Sequence, residues 1–393
     1  MRKCCNLRSF VYLDNSATTP LSDAAKRKIE EMLSIYGNPS SLHSLGQRAE
    51  AELKTAREAI LSALGVRSRD GEFVFTSSGT EATALALIGC AHAKERRDAT
   101  RILISDSEHS SVANTAASLS KEGFEIVRIP TKRGVLDMDA IRAALDKKIF
   151  LASFMLVNNE TGARYAVEDA FSLIKEKYPE AITHCDAVQG FMKLRFSPSS
   201  LHADLVSVSG HKLHAPKGVG GLYISADMLK KRKISPVLFG GGQEKGLRSG
   251  TENTIGIAAF GASVADLAKR RGEVEAHLEE LYLYATEKLE AIGLRINRPE
   301  GARVSHIINL TLPRIKSETM LHFLSADGIF VSSGSACSSH AKGPSGALVA
   351  FGLPAAEADC SLRVSLSEYS TKEDVDALVA SLSTALARLV RIK

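Results

Sequence analysis

The sequence has few of the features that mark secreted, membrane-spanning or nucleic-acid-binding proteins. Its six cysteines show neither the spacing of a disulfide framework nor that of a zinc site. No apolar run approaches the length of a membrane span, and no basic run with interleaved aromatic residues indicates nucleic-acid binding. Internal repeats and disordered linkers are also lacking. These absences argue against a disulfide-rich or integral membrane protein, and they predict no metal site, no membrane partner and no direct nucleic-acid partner.

The composition that remains is typical of a globular protein. The chain has 393 residues, of which 44% are hydrophobic and 24% charged, and its formal net charge is only +5. This length is enough for two domains and a large core. The first apolar run, at residues 10–13, is too short for the apolar region of a signal peptide. We therefore expect a cytoplasmic protein.

Short β-rich runs alternate with helix-compatible segments in the first part of the chain. The strand candidates are 73–75, 102–104, 125–127, 150–157, 182–185, 205–208 and 221–224, with helices at 81–92 and 167–177 among the segments between them. This alternation predicts an α/β fold with a mostly parallel sheet covered by helices.

The pattern changes after about residue 260. A long amphipathic helix is predicted over 261–293, followed by an apolar run at 307–310, a helix at 317–326, a strand at 362–366 and a closing helix at 372–391. Thr371 and Asp374 provide a start to the last helix that resembles a capping box. This order predicts a smaller α+β domain. We assign residues 14–260 to the large domain, and residues 1–13 and 261–393 to the small one.

Lys212 directly follows the apolar run at 205–208, in Ser209-Gly210-His211-Lys212. Open α/β sheets bind their ligands at the carboxyl ends of their strands. An amine at that position could form a Schiff base with an aldehyde cofactor. Taken alone, Lys212 is better explained as one of many solvated surface lysines.

Polar groups follow the other predicted strands as well. The turn 76–81 contains small residues that suit a phosphate at a helix N-terminus, although it could be an ordinary turn with Thr80 as the N-cap. His109 could stack on a flat cofactor or move protons, or could be a structural or surface histidine. The segment 158–162 could be a simple Asx-type turn. Asp186 could keep a pyridine nitrogen protonated, or could cap a helix. Because these groups share one edge of the sheet, a common cofactor site is a better explanation than independent accidents.

With these residues in view, the chain resembles the cysteine desulfurases of the NifS/IscS type, which are fold-type I pyridoxal-phosphate enzymes within the class V aminotransferase-like family. The matching stretches are 12–20, 37–43, 108–109, 158–160, 186–189, 209–212, 248–251 and 332–337. They occur in the order that the family has and run through nearly the whole chain.

The resemblance implies a role for each matching residue. Lys212 would be the Schiff-base lysine, Asp186 would pair with the pyridinium nitrogen, and His109 would stack on the ring as a further catalytic residue. Gln189 and Asn159 would contact the side of the cofactor that carries its phenolic oxygen. The remaining assignments are Gly79, Thr80, Ser209 and His211 at the phosphate, Thr251 at the phosphate of the neighbouring subunit of a homodimer, and Arg363, Asn15 and Asn159 at the substrate.

Cys337 lies in a segment rich in small residues, which predicts a mobile loop. A thiol there could be an incidental loop cysteine, but the preceding Ser-Gly-Ser-Ala favours the nucleophile of the family. The resemblance then implies conversion of L-cysteine to L-alanine, with the sulfur held on Cys337 as a persulfide for an acceptor protein (an iron–sulfur scaffold or a thiolation relay). A flexible loop would let Cys337 visit both the substrate and the acceptor.

Several alternatives share the Lys212 site. A selenocysteine lyase or a class V aminotransferase would keep it, and a pyridoxal-phosphate-binding scaffold without activity belongs to a different class of protein. Arg363 suits a substrate carboxylate, because a planar guanidinium binds a carboxylate through two parallel hydrogen bonds, but it could also be a surface charge at a strand edge.

Overall fold

A seven-stranded sheet forms the centre of the protein, for which a computed structural model describes residues 10–67, 69–93, 99–334 and 344–389. Its strands are Gly71–Thr76 (β2), Arg101–Ser105 (β3), Glu125–Ile129 (β4), Ile149–Met155 (β5), Ile182–Asp186 (β6), Leu205–Ser209 (β7) and Gly220–Ser225 (β8). They lie in the order β2-β8-β7-β6-β5-β3-β4. In this sheet β8 runs antiparallel to the other six strands, which are parallel to one another. The predicted α/β fold with a mostly parallel sheet is confirmed.

Helices cover both faces of this sheet, so central strands such as β3, β6 and β7 are buried on both sides. In β3, Leu103 packs in one core while Ile102 packs in the other, as the alternation of side chains along a strand requires. The helices of the chain are Asp23–Met32 (α1), Ser44–Ala63 (α2), Gly79–Ala91 (α3), Ser110–Ser120 (α4), Met138–Ala144 (α5), Val167–Lys177 (α6), Ala226–Lys230 (α7), Thr254–Ala291 (α8), Ser317–Ala326 (α9), Gly346–Phe351 (α10), Ala355–Ala358 (α11) and Lys372–Arg388 (α12). Within the described residues, no helix combines the length and the apolar character needed to cross a membrane.

The C-terminal region has its own small sheets. An antiparallel sheet has the order β12-β10-β9, and a parallel pair joins β1 to β11. These strands are Val11–Tyr12 (β1), Arg295–Ile296 (β9), Ile307–Thr311 (β10), Ile329–Phe330 (β11) and Ser361–Ser365 (β12). They pack with α12 in a separate core that also contains Leu13. Residues near the N-terminus and residues near the C-terminus therefore share one core.

Helix α8 joins the two parts of the molecule. Phe260 and Val264 in its first half pack in a core on the large sheet, whereas Leu281 and Leu289 in its second half pack in the C-terminal core. The helix begins at Thr254, earlier than the amphipathic pattern predicts, because Asn253 caps it. The predicted boundary between 260 and 261 thus falls inside a continuous helix. The division into two domains stays a prediction.

Candidate active site

A cavity at the carboxyl ends of β5, β6 and β7 brings most of the predicted site residues together. It is lined by Ser16, Ala17, Ser78, Gly79, Thr80, His109, Ser111, Met155, Val157, Asn159, Asp186, Val188, Gln189, Ser209, His211, Lys212 and Arg363. The strands are parallel, so their carboxyl ends lie at one edge of the sheet and the loops that follow them meet there. Residues that are far apart in the sequence therefore share one small space.

Lys212 lies in a short helical turn that follows β7 directly. Its Nζ donates hydrogen bonds to the carbonyl oxygen atoms of Ser16 (2.5 Å) and Ala17 (2.8 Å). These carbonyls belong to the segment 15–20, which also binds the 211–214 turn through Thr19. The interpretation of Lys212 as a solvated surface lysine is wrong, because its amine is directed into the cavity.

Asp186 is the last residue of β6 and is only 6% exposed. Its Oδ1 accepts a hydrogen bond from the backbone N–H of Val188 at 3.0 Å. Burial raises the pKa of Asp186, and the positive charges of His109 and Lys212 act in the opposite direction. A buried carboxylate of this kind is stabilised by a cationic partner, which a protonated pyridine nitrogen would supply.

The turn between β2 and α3 forms the end of the cavity that suits a phosphate. A Cβ added at Gly79 would lie 3.0 Å from Val188 Cγ2 and 3.3 Å from Ser209 Cβ, so glycine keeps this end open. The N-cap of α3 is Ser78, whose Oγ accepts a hydrogen bond from the backbone N–H of Glu81 at 3.1 Å. The expectation that Thr80 caps this helix is therefore wrong: α3 begins at Gly79, which places Thr80 inside its first turn.

His211 lines the same cavity. Burial, with smaller contributions from the positive charges of Lys212, Lys217 and Lys193, lowers the pKa of His211 to about 3. The imidazole is therefore neutral at physiological pH. It could donate a hydrogen bond to a phosphate without adding a positive charge.

His109 is the N-cap residue of α4. Its Nδ1 accepts a hydrogen bond from the backbone N–H of Ser111 at 3.1 Å and lies 2.8 Å from Ser111 Oγ. Because a backbone N–H donates to Nδ1, a neutral ring carries its proton on Nε2. These bonds fix the ring orientation at the wall of the cavity. The side chain is therefore held ready for a flat ligand.

Asn159 is held in place by an Asx turn, which the sequence offers as one interpretation of the 158–162 segment. Asn158 Oδ1 accepts hydrogen bonds from the backbone N–H groups of Glu160 (3.0 Å) and Thr161 (2.9 Å). This turn presents Asn159 to the cavity. On the neighbouring strand end, the side chain of Gln189 donates to the carbonyl oxygen of Ser16 at 2.9 Å.

Arg363 lies in β12 and its side chain is only 1% exposed. Its Nη2 binds Asp14 Oδ1 at 2.7 Å, and its Nη1 donates to the carbonyl oxygen of Asn159 at 3.0 Å. The alternative of a surface charge at a strand edge is therefore wrong. The C-terminal region thus contributes a buried guanidinium to a cavity that is otherwise built mainly by the large sheet.

Two of the predicted site residues that the structure describes do not line this cavity. Asn15 is buried, and its amide donates to the carbonyl oxygen of Ser365 at 2.9 Å, so it attaches the 12–16 segment to β12 instead of facing the cavity. Thr251 is exposed on the surface. Cys337 lies outside the described residues.

The sequence patterns missed several residues at the site. The carbonyls of Ser16 and Ala17, which bind Lys212, carry no sequence signal, because any residue supplies a carbonyl. Glu108 is a second buried carboxylate, and its Oε1 accepts hydrogen bonds from Ser105 Oγ (2.6 Å) and the backbone N–H of Met155 (2.9 Å). Its place directly before His109, at the end of a strand, is the signal that could have indicated it.

The lining of the cavity fits pyridoxal 5′-phosphate. Ser209 Oγ and Gln189 Oε1 are buried without a hydrogen-bond partner within the described structure, and such atoms are costly unless a ligand satisfies them. A lysine amine, a buried carboxylate, a fixed imidazole and an open helix N-terminus lie around one space. Together with the parallel sheet, these groups define a pyridoxal-phosphate enzyme of fold type I.

Comparison with known proteins confirms this class. Residues 11–378 match the model of the aminotransferase class-V family. The chain belongs to this family. The family assignment also confirms the predicted cofactor, pyridoxal 5′-phosphate.

Individual relatives are similar over almost their full lengths. A protein named cysteine desulfurase IscS from Dictyoglomus turgidum is 36% identical over 387 residues, which are 98% of this chain and 96% of that protein. A NifS/IcsS protein homolog from Lactobacillus delbrueckii subsp. bulgaricus is 37% identical and covers 95% of this chain and 96% of its own length. Among solved structures, a NifS-like protein superposes with a TM-score of 0.89 at 34% identity, covering 97% of this chain and all of that one. A structure described as SspA in complex with cysteine has a TM-score of 0.80 at 29% identity, covering 92% of this chain and all of its own.

Proposed function

We propose that this protein is a pyridoxal-phosphate-dependent cysteine desulfurase that converts L-cysteine to L-alanine. The observation that carries the proposal is the single cavity in which Lys212, Asp186, His109 and Arg363 meet. The full-length similarity to proteins named cysteine desulfurase supports the same activity. The structure described as containing cysteine supports L-cysteine as the substrate.

Each part of the cavity has a defined task in this proposal. Lys212 would hold the cofactor, and its amine would move the proton on the substrate Cα. Gly79, Thr80, Ser209 and His211 would hold the phosphate, Asp186 would pair with the ring nitrogen, and His109 would stack on the ring. When bound, pyridoxal phosphate supplies an electron sink for the carbon next to the substrate amine. The guanidinium of Arg363 binds the substrate carboxylate, with Asn159 beside it.

Sulfur transfer is assigned to Cys337. Its thiolate attacks the sulfur of L-cysteine, so that a sulfur–sulfur bond forms while the bond between carbon and sulfur breaks. The electron pair of the broken bond stays on the carbon, which takes up a proton to give alanine. The enzyme thiol and L-cysteine are thereby converted to an enzyme persulfide and L-alanine. An acceptor protein, either an iron–sulfur scaffold or a thiolation relay, then takes the sulfur.

The proposal also covers the oligomeric state of the enzyme and its location in the cell. We place the enzyme in the cytoplasm as a homodimer in which Thr251 of each subunit reaches the phosphate site of the other. The exposure of Thr251 and its place outside the cavity of its own subunit support this arrangement. Residues 14–260 would form the cofactor-binding domain, and residues 1–13 and 261–393 the domain that carries Cys337.

The test is a product assay with the purified protein, added pyridoxal phosphate, L-cysteine and dithiothreitol. We expect alanine and sulfide in equal amounts from the wild type, and neither from Lys212→Ala or Cys337→Ala. Cys360→Ala is the matched control, because Cys360 is buried in the C-terminal core away from the cavity, and it should keep wild-type output.

Other outcomes would assign a different function. Turnover of L-selenocysteine without turnover of L-cysteine would indicate a selenocysteine lyase. Transfer of the amino group to a 2-oxo acid would indicate an aminotransferase. Cofactor absorbance without any product would indicate a protein that binds pyridoxal phosphate but has no activity. If Cys337→Ala forms as much alanine and sulfide as the wild type, the persulfide step is excluded.

A further inference from the structure

His214 is a buried side chain two residues after Lys212, and both nitrogen atoms of its ring face oxygen acceptors. The residue is only 3% exposed. Its Nδ1 lies 2.9 Å from the carbonyl oxygen of Pro20, and its Nε2 lies 3.0 Å from Glu368 Oε2. A carbonyl oxygen can only accept a hydrogen bond, so Nδ1 carries a proton and donates it. An ionised carboxylate also only accepts, so the contact with Glu368 requires a proton on Nε2 as well.

Glu368 extends this contact into a row of alternating charges. Its Oε1 lies 3.3 Å from Arg270 Nη2, and the same Nη2 lies 2.7 Å from Asp266 Oδ2. Burial alone would raise the pKa of Glu368, but the hydrogen bonds and positive charges of His214 and Arg270 lower it overall. Lys193 adds only a partial charge nearby, because burial lowers its pKa to about 7. With a doubly protonated ring on His214, two cations alternate with two anions and the row is neutral.

The ring of His214 completes a set of bonds between the segment 15–20 and the turn that carries Lys212. Thr19 Oγ1 accepts a hydrogen bond from the backbone N–H of His214 at 2.7 Å. The backbone N–H of Ser22 donates to the carbonyl oxygen of His214 at 2.9 Å. The bond from Nδ1 falls between these two residues in the sequence. All three bonds therefore hold the segment whose carbonyl oxygen atoms bind the amine of Lys212.

The backbone of His214 also indicates a position that its contacts maintain. Its φ is 60°, in the left-handed region that residues other than glycine rarely adopt. Such a conformation costs free energy and persists only where the surrounding structure imposes it. The ring also packs edge-on against Tyr369, with ring centroids 4.9 Å apart. Because Glu368 and Tyr369 follow β12, this contact joins the turn of Lys212 to the strand that contains Arg363.

We propose that His214, as an imidazolium bonded to Pro20 and Glu368, is a positioning residue for Lys212. It acts through the segment 15–20, whose carbonyl oxygen atoms receive the amine of Lys212 when that amine is not attached to the cofactor. The inference rests on the proposed role of Lys212 in moving the substrate proton. A fixed place for the amine favours this step, because a small displacement of a catalytic group costs a large part of the rate.

The test compares His214→Phe, Glu368→Gln and the double variant with a matched control, His277→Phe. His214→Phe keeps a ring that can pack against Tyr369 but has neither N–H donor. His277 Nε2 lies 2.9 Å from the carbonyl oxygen of Ser370, so it also joins α8 to the chain after β12. The control therefore measures the general loss of a histidine contact between these two parts of the structure.

Three measurements are made on the holoenzyme: nitrogen-15 spectra of its histidine rings, amide hydrogen exchange in the peptide 15–22, and kcat and KM for alanine formation at equal cofactor absorbance. At pH 7 the wild type should show a ring protonated on both nitrogen atoms, in the signal that His214→Phe removes. We expect His214→Phe to speed amide exchange in this peptide about tenfold or more. It should also lower kcat about tenfold, with KM for L-cysteine within about twofold of wild type.

The other variants separate the bond from the packing of the ring. Glu368→Gln keeps a side chain of the same shape without the charge, so its losses should be smaller than those of His214→Phe. The double variant should be no worse than His214→Phe alone, because the two residues share one interaction. His277→Phe should keep wild-type exchange and kinetics.

A neutral His214 ring in the wild type at pH 7 would overturn the inference. So would wild-type exchange and kcat in His214→Phe, because packing of a ring would then be sufficient. Equal losses in His277→Phe would indicate a general structural effect and would overturn it as well. If the wild type makes no alanine from L-cysteine, the proposed function fails, while the nitrogen-15 signal and the exchange rates still decide whether His214 holds the segment 15–20. An active wild type with an equally active His214→Phe would contradict the inference alone.

Discussion

Burial sets the charge of several side chains around the proposed cofactor site. It lowers the pKa of His184 to about 3 and that of Lys193 to about 7, the latter with a contribution from the positive charge of Lys212. His184 is also placed between Ser153 Oγ and Ser207 Oγ, each at 2.8 Å. Residue identity alone therefore gives a poor estimate of the charge at this edge of the sheet.

The guanidinium of Arg363 is predicted to set the affinity for the substrate. We expect Arg363→Lys to raise KM for L-cysteine about tenfold or more, because an ammonium lacks the planar pair of donors that matches a carboxylate. Steady-state kinetics would measure KM for L-cysteine, with the two proteins compared at the same cofactor absorbance. The exposed Arg295 offers the matched control Arg295→Lys. An unchanged KM would indicate that Arg363 has only a structural role, as the ion-pair partner of Asp14.

Glu108 is predicted to make the stability of the cofactor-free protein depend on pH. Burial raises its pKa to about 8, although the hydrogen bonds from Ser105 and Met155 favour the charged form. The folded state therefore keeps a proton that the unfolded chain releases between its ordinary pKa of 4.5 and about 8. Hence the free energy of unfolding falls as pH rises through this window, by at most about 1.4 kcal/mol per unit.

Glu108→Gln removes this titration, so its free energy of unfolding should fall less steeply between pH 5 and pH 8. Urea denaturation of the cofactor-free protein at several pH values would measure the two slopes. Glu58→Gln, at an exposed glutamate of α2, is the control and should keep the wild-type slope. Equal slopes for Glu108→Gln and wild type would contradict the prediction.

Among the elements, α12 shows how local sequence can specify a helix start. Thr371 Oγ1 accepts a hydrogen bond from the backbone N–H of Asp374 at 3.2 Å, and Asp374 Oδ2 accepts one from the backbone N–H of Thr371 at 2.9 Å. This is the capping box that the sequence predicts, and it is confirmed. Thr371→Ala should lower the free energy of unfolding by about 1 kcal/mol, measured by urea denaturation with cofactor absorbance unchanged. Thr384→Ala on the exposed face of the same helix should have a much smaller effect.

The strands of the large sheet were predicted well, because alternation between apolar strands and helices is a local property of the sequence. All seven strand candidates are strands in the structure, with ends that differ by up to two residues. The sequence did not indicate that β8 is antiparallel to its neighbours. Strand direction depends on the path of the chain between strands, and no local pattern records it.

At the scale of the whole molecule, the exposed segment around Thr251 is attached to the turn between β2 and α3. Arg248 Nε binds Glu81 Oε1 at 2.8 Å, and Glu81 Oε2 accepts a hydrogen bond from the backbone N–H of Ser77 at 2.7 Å. Thr251 therefore projects from a supported segment.

If Thr251 serves the other subunit, mixed dimers of two inactive variants should regain activity. A hybrid of Thr251→Val and Lys212→Ala would contain one site with both defects and one intact site. Random re-association should then give about a quarter of wild-type activity, since half of the dimers would be hybrids. Sulfide release by the mixture would measure it, with each variant alone as the control. No recovery after mixing would indicate that Thr251 serves its own subunit or no site.

The sequence by itself determined the fold class, the positions of the strands and the family to which the chain belongs. The reason is that the periodicity of hydrophobic residues, helix caps and short motifs are local features. Each can be recognised from residues that are close together in the sequence. Only the tertiary structure decided that Arg363 is buried against Asp14, that Ser16 and Ala17 bind Lys212 and that Asn15 faces away from the cavity. These contacts join residues that are more than a hundred positions apart. Such contacts depend on how two cores pack around α8, which no local pattern encodes.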